Sequence, residues 1–396
     1  MSHVLRAGRM LASALAPIVM LLMPALSLLQ DAAMAAGIRT EQVEFADLAG
    51  WEGDDHAAAL AAFVRHCARD DDVPAKTGRI GVDGALLLDL CRTARAVRPD
   101  GARAFFEANF QPLRIGEPGF LTAYFEPELA GSRKRTDRFR VPLLSKPGDL
   151  VRIDDENRPA GLPAEFAFGR LMPDGRIVEH PDRGAIMDGA LDGRDLELVW
   201  LEDPVDAFYV HVQGSARIRL TDGTAMRVAY AAKTGHSYFP IGRVMIERGL
   251  AEPGTVTMEV LRNWLAANPG EIDSVLRRNR SNIFFREVTD ADPDAGPVGA
   301  AGIQLSAGRS LAVDRMLHTF GTPVFVEGEL PAGNGGGTKP FARLMIAQDT
   351  GSAIVGAARG DLFIGSGAEA GAIAGDIQHK GRFTLLVPRS AAGVRP

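Results

Sequence analysis

Residues Gln348–Gly367 read QDTGSAIVGAARGDLFIGSG, a run of almost wholly small or apolar residues that nevertheless holds Asp349 and Asp361, with Arg359 as its only other charge. Each aspartate sits beside a short β-like segment with glycine at its corners, and Asp314 in AVDRMLHTFGTPVFV has the same setting. Glycine at such corners permits tight bends and close backbone approach. Two readings are open for the three aspartates. They cap turns by accepting backbone N–H groups. Alternatively, the strands converge and the carboxylates share a poorly solvated site, where burial and like charge raise one pKa and create a general acid.

Upstream of this run the chain changes character twice. Apolar residues at helical spacing, with acids first and arginines last, predict an amphipathic helix over Asp54–Arg69, and two more are expected over Gly84–Val97 and Asp100–Phe110. From Gly119 onward, short alternating segments punctuated by Gly, Pro and Asp predict a β-rich barrel or sandwich. Within it, DAFYVHVQGSARIRL reads as a strand with Tyr209, His211 and Gln213 on a polar face. Helices return at Thr257–Ala267 and Gly270–Asn279, and a last β-rich stretch begins near Val298. Two domains are expected. Whether the first and last segments share one core is not decided by the pattern.

The chain has 396 residues, 46% hydrophobic and 24% charged, enough for two substantial cores. A net charge of -6 argues against a nucleic-acid partner. Arg6 and Arg9 precede an uncharged run from Met10 to Leu29, and Ala33-Met34-Ala35 fits a cleavage site, so residues 1–36 are expected to be a signal peptide. The same run is long enough to serve as an uncleaved anchor. No cysteine for lipidation lies near the cleavage region, and the two cysteines of the chain, Cys67 and Cys91, are expected to form one disulfide after export, the alternative being two buried thiols.

Other chemistries find little support. The eight histidines show no H-x-x-x-H pair and the cysteines no C-x-x-C spacing, so no metal or other cofactor is expected. There is no G-x-S-x-G elbow, and GNGGG within Pro331–Pro340, read without a strand before it or a helix after it, is taken as a surface loop rather than a phosphate cradle. The doublet Asp54-Asp55 and the run Asp70–Asp72 read as solvated or dipole-favoured helix ends.

Five stretches are specific in combination: FLTAYFEPELAGS (Phe120–Ser132), DAFYVHVQGSARIRLTDG (Asp206–Gly223), YAAKTGHSYFPIGRVMIERG (Tyr230–Gly249), SNIFFRE (Ser281–Glu287) and the closing aspartate segments. Together, over roughly Gly119–Pro388, they resemble the membrane-bound lytic murein transglycosylase A family with its C-terminal three-aspartate (3D) domain. The resemblance implies a mainly β fold with N-terminal helices: a double-psi β-barrel built from N- and C-terminal segments, with a second, barrel-like β domain inserted. It divides the chain into a helical part of the barrel domain (37–123), the insert (124–284) and the C-terminal 3D part (285–396).

The implied substrate is the glycan strand of peptidoglycan, cut between N-acetylmuramic acid and N-acetylglucosamine to leave a 1,6-anhydro end. Because the muramic acid's own C6 hydroxyl attacks, one carboxyl suffices. By motif, Asp361 is the acid/base, Asp349 tunes it and Asp314 supports it, paired with Arg315. Thr122, Tyr124, Gln213, Gly214 and Ser215 line the groove, joined by Lys233, His236 and Tyr238. The resemblance also implies a periplasmic monomer, associated with the outer membrane and with other cell-wall proteins. A non-catalytic wall-binding protein and a hydrolase using Asp349 and Asp361 as a pair are the competing readings; the mass of the products separates the latter.

Overall fold

The computed structural model describes residues 37–68, 76–164, 166–289, 292, 294–332 and 337–389. The expected signal peptide, the Asp70–Asp72 run and most of the GNGGG segment lie outside these residues.

Six strands close on themselves. In spatial order they are Gly119–Glu126, Arg359–Ser366, Ser310–Val313, Thr338–Asp349, Pro323–Pro331 and Gln378–Pro388, the last pairing back onto the first. Two of the six pairings, those of Arg359–Ser366 with Gly119–Glu126 and of Ser310–Val313 with Thr338–Asp349, are parallel. Closure leaves no free edge in the ring. Leu121, Leu311, Val313, Val324, Val326, Leu344, Ile346, Leu362 and Leu385 are buried in its core.

The N-terminal helices belong to this core. Trp51, Phe63, Phe105, Phe106 and Phe110 join the same apolar cluster as the barrel strands, which settles what periodicity left open. The helix His56–His66 starts where the Asp55 carboxylate accepts Ala58 N–H (3.0 Å), and Asp83 opens Gly84–Ala94 in the same way through Ala85 N–H (2.8 Å). A third helix covers Ala102–Asn109 and gives way at Phe110 to a strand, Phe110–Ile115, that pairs with Gln378–Pro388. Cys67, the C-cap of the first helix, is disulfide-bonded to Cys91 of the second. Closing a loop of 24 residues stabilises the fold by about 3 kcal/mol, chiefly by restricting the unfolded chain.

Asp54 behaves otherwise than the expected solvated helix end. Its side chain is buried, with its two oxygens paired to both terminal nitrogens of Arg309 (2.9 Å each) and accepting Leu344 N–H (2.7 Å). Gln348 makes a second tie, donating from Nε2 to Ala62 O (2.8 Å) while accepting from Ser310 Oγ (2.5 Å).

A second, six-stranded sheet runs in the order Ile283–Val288, Ala225–Lys233, Ser215–Leu220, Glu128–Ser132, Glu197–Leu201, Val141–Leu144. A bridge between Ser145 and Phe285 brings its two ends together around Leu143, Val199, Ile218, Val228 and Phe285. A small sheet of Leu150–Arg152, Phe168–Leu171 and Ile177–Val178 packs beside it.

The expected strand at Asp206–Leu220 is corrected: Pro204–Gln213 is an α-helix, and only Ser215–Leu220 is extended. Asp203 caps it through Val205 N–H (2.6 Å) and Asp206 N–H (3.1 Å), Pro204 occupies the first turn, and Gly214 ends it in the left-handed conformation (φ 80°). Val205, Phe208 and Tyr209 fall at helical spacing and are buried together, so the cap signals outweigh the period-two alternation.

One premise about Pro331–Pro340 is also corrected: a strand, Pro323–Pro331, does precede the glycines and pairs with Thr338–Asp349, Pro331 standing opposite Thr338, while residues 333–336 lie outside the described residues. In the closing stretch a helix, Gly367–Gly375, interrupts the β pattern and packs Ala370 and Ala374 against Phe125.

Candidate active site

Asp361 lies on the strand Arg359–Ser366, in parallel register with Thr122 and in antiparallel register with Ala312. Gly360, before it, has no room for a side chain: a Cβ there would sit 2.6 Å from the Phe383 ring. That close approach seats the strand against the core, and Asp361 itself is half-buried.

The Thr122 hydroxyl donates to Asp361 Oδ1 and itself accepts from Arg359 Nη2 (2.7 Å). Arg359 also donates to Gly360 O (2.5 Å) and lies over the Phe120 ring (5.4 Å), so its fork is held on both sides. Burial raises the Asp361 pKa above the ordinary carboxylate value, Asp349 adds to the rise, and the Thr122 hydrogen bond and Arg359 charge oppose it. Such a group holds a proton to higher pH than a solvated aspartate.

Asp349 differs in kind. Its Oδ2 accepts from Tyr124 OH (2.8 Å), and its Oδ1 accepts Ala300 N–H (2.8 Å) and Thr350 N–H (2.9 Å). Burial raises its pKa, while these three donors pull it back. Both oxygens are thus committed to the protein. The Tyr124 ring is buried against Phe363 (centroids 5.3 Å apart), so its hydroxyl orients Asp349 and its face is not an open sugar platform.

Asp314 resolves to the turn-capping reading. Its carboxylate accepts Met316 N–H (2.9 Å) and Gly356 N–H (2.9 Å), and among the described residues it makes no ion pair with Arg315, contrary to expectation. Its bond to Gly356 steadies the loop that leads from Asp349 into the Asp361 strand.

The insert faces this loop. Lys233 donates from Nζ to Ser352 Oγ (2.8 Å), and burial followed by the charge of Arg315 lowers its pKa. Tyr238 is within electrostatic reach of Asp361: burial raises its phenol, Asp361 raises it further and Arg183 opposes. Gln213 accepts Phe125 N–H through Oε1 (3.0 Å), which fixes it beside the strand of Thr122 and Tyr124. Gly214 supplies the helix stop and Ser215 is buried at the start of the next strand, so both shape the wall from behind. His236 stands apart from these residues: it is buried against Phe166 and bonded to His180 O (2.8 Å). A separate cavity of about 480 Å³, lined in part by Arg170, His180, Asp182 and Arg280, contains none of these residues.

Two residues of the site escape motif reading. Arg359 was legible only as a lone charge in an apolar run. Glu126 of TAYFEP is fully buried, accepting from Arg217 Nε (2.8 Å), Arg227 Nη2 (3.2 Å) and Ser366 Oγ (2.8 Å), and so joins barrel strand, insert sheet and Asp361 strand. A charge within an otherwise apolar strand was its only signal.

Comparison with known proteins identifies the family. Residues 120–286 match the MltA specific insert domain and 309–387 the 3D domain. A membrane-bound lytic murein transglycosylase A of Vibrio cholerae is 39% identical over 212 residues, 52% of this chain and 55% of that protein, so the aligned part spans little more than half the relative. The crystal structure of membrane-bound lytic murein transglycosylase from Agrobacterium tumefaciens is 47% identical, with a TM-score of 0.81 over 89% of this chain and 98% of that one. That of E. coli MltA with bound chitohexaose is 25% identical, with a TM-score of 0.64 over 84% and 90%. With both domain signatures in order and a relative of nearly full coverage at this identity, the chain belongs to the membrane-bound lytic murein transglycosylase A family.

Proposed function

We propose that this protein cleaves the β-1,4 bond between N-acetylmuramic acid and N-acetylglucosamine in peptidoglycan without water. Protonated Asp361 gives its proton to the glycosidic oxygen as the C1–O bond breaks. The resulting carboxylate takes the proton of the muramic acid's C6 hydroxyl as that oxygen attacks C1. The glycan leaves with a 1,6-anhydro end, and Asp361 returns to its starting form. Holding the reacting hydroxyl on the same sugar supplies the advantage of an intramolecular reaction.

The observation that carries this reading is the unequal use of the two carboxyls. A hydrolase needs a second free carboxylate, as nucleophile or as base for water. Asp349 has none to offer, because Tyr124, Ala300 and Thr350 occupy its oxygens. Its role is to orient and raise Asp361, while Asp314 braces the intervening loop. Thr122, Gln213, Lys233 and Tyr238 contact or position the glycan in the cleft, with Tyr124, Gly214 and Ser215 behind them. The E. coli relative's chitohexaose supports an oligosaccharide as ligand.

The closed six-stranded ring with two parallel pairings supports a double-psi barrel. The two sheets support an insert running from near residue 124 to near 284 within a barrel domain of 37–123 and 285–396. Among the described residues no helix is long and apolar enough to cross a membrane. The term membrane-bound in the names of the relatives and the basic-apolar opening of the sequence support export to the periplasm, through a signal peptide at residues 1–36, with attachment to a membrane. The test is mass analysis of fragments released from purified sacculi. Anhydro ends are expected, and reducing ends one water heavier would reject the reading.

A further inference from the structure

We propose that Arg152, Arg315 and Lys233, set around Tyr230, form a cationic shelf at the rim of the cleft that takes an acidic peptide carried by the glycan, namely the peptide that substitutes the lactyl group of muramic acid. This rests on the lyase reading and extends it from sugar to peptide. Three separate pieces of backbone bring the cations together. Lys233 ends a strand of the insert and reaches Ser352 in the loop between Asp349 and Asp361. Arg315 follows Asp314, whose carboxylate holds Gly356 of that same loop. Arg152 pairs in register with Phe168, whose carbonyl packs on Gly235, two residues past Lys233. Between them Tyr230 exposes 43% of its surface, one of the few large apolar side chains left open.

Electrostatics agree with this placement. Burial raises the Tyr230 phenol while Arg315 and Arg152 both act against it. Among the described residues no carboxylate neutralises the cluster. Elsewhere in the insert, Arg133, Arg138, Arg170, Arg194, Arg277 and Arg280 each pair with a carboxylate. Among the described residues, neither Arg152, Arg315 nor Lys233 has such a partner. Asp154, the nearest acid in sequence to Arg152, accepts instead from Glu156 and Asn157 N–H. Like charges gathered without neutralisation repel, and an arriving carboxylate relieves that repulsion. In an intact strand the lactyl carboxyl is tied up in its amide to the peptide, so the peptide's own carboxylates are the anions on offer. The tyrosine face suits the peptide's apolar part.

The experiment compares wild type with the double variant Arg152→Gln/Arg315→Gln on murein strands that bear peptides and on the same strands with the peptide carboxyls converted to amides, which removes the peptide's negative charge without uncovering the lactyl carboxyl. Both arginines are exposed, and an unchanged melting curve verifies the fold. For the variant we expect KM to rise at least about fivefold on the unmodified strands, with kcat retained and with less sensitivity to added salt than wild type. On the amidated strands the two proteins should match. Equal loss on both substrates, or no change on either, would overturn the inference alone. Unchanged kinetics with lost binding to anionic vesicles would overturn it in favour of a membrane-facing role. A wild type inert on both substrates would instead overturn the lyase reading, and the inference with it.

Discussion

Asp361→Asn should reduce release of soluble fragments from sacculi by about a thousandfold or more, the scale at which a positioned general acid contributes. Asparagine keeps the size of the side chain and an oxygen to accept from Thr122, so far-UV circular dichroism and the melting temperature should stay close to wild type. What it loses is a transferable proton. Asp349→Asn is the informative contrast. The charge of Asp349 helps to hold the Asp361 pKa up, so its removal should let that pKa fall. A general acid works below its pKa; the alkaline limb of the pH–rate profile should therefore move to lower pH. A limb that stays in place, or turnover in Asp361→Asn near that of wild type, would remove the proton-transfer role from this residue.

The second large effect is on stability. Glu126→Ala should cost about 3–5 kcal/mol, as expected when one partner of a buried ion pair is deleted. The carboxylate is fully buried and is the shared acceptor for Arg217, Arg227 and Ser366, so its loss strands the buried Arg227 at the junction of barrel and insert and leaves Arg217 with only its longer pair to Glu128 (3.5 Å). Both arginines keep a bond to Ala295 O (3.0 and 2.8 Å), which does not neutralise their charge. Urea unfolding should show the midpoint falling, and activity should fall as well because Ser366 lies on the Asp361 strand. A change within about 0.5 kcal/mol would mean that the network contributes nothing beyond surface polarity.

Much of this architecture can be read from residues alone, and the failures share a cause. The helix starts at Asp55 and Asp83 and the apolar spacing behind them are local signals, and local structure follows them. The helix Pro204–Gln213 was misread because alternation and helical spacing coexist there, and the decisive signals were the Asp203-Pro204 start and the Gly214 stop. Long-range pairings left no local trace. Asp54 with Arg309, Glu126 with Arg217 and Arg227, and Arg359 with Thr122 are each separated by tens to hundreds of residues. Each charge therefore looked solvated until the fold brought its partner. Asp349 and Asp361, indistinguishable by their surroundings in sequence, part company only through hydrogen bonds: three donors occupy both oxygens of one, while the other accepts from Thr122 on a single oxygen.

The intramolecular character of the reaction is the claim on which the rest depends. Digestion of sacculi by the wild-type protein in water enriched with oxygen-18 measures it directly. If the C6 hydroxyl of muramic acid closes on C1, the released fragments carry no label at the cleaved end. Label incorporated at C1 during turnover would mean that water attacks, and would contradict a site with one working carboxyl.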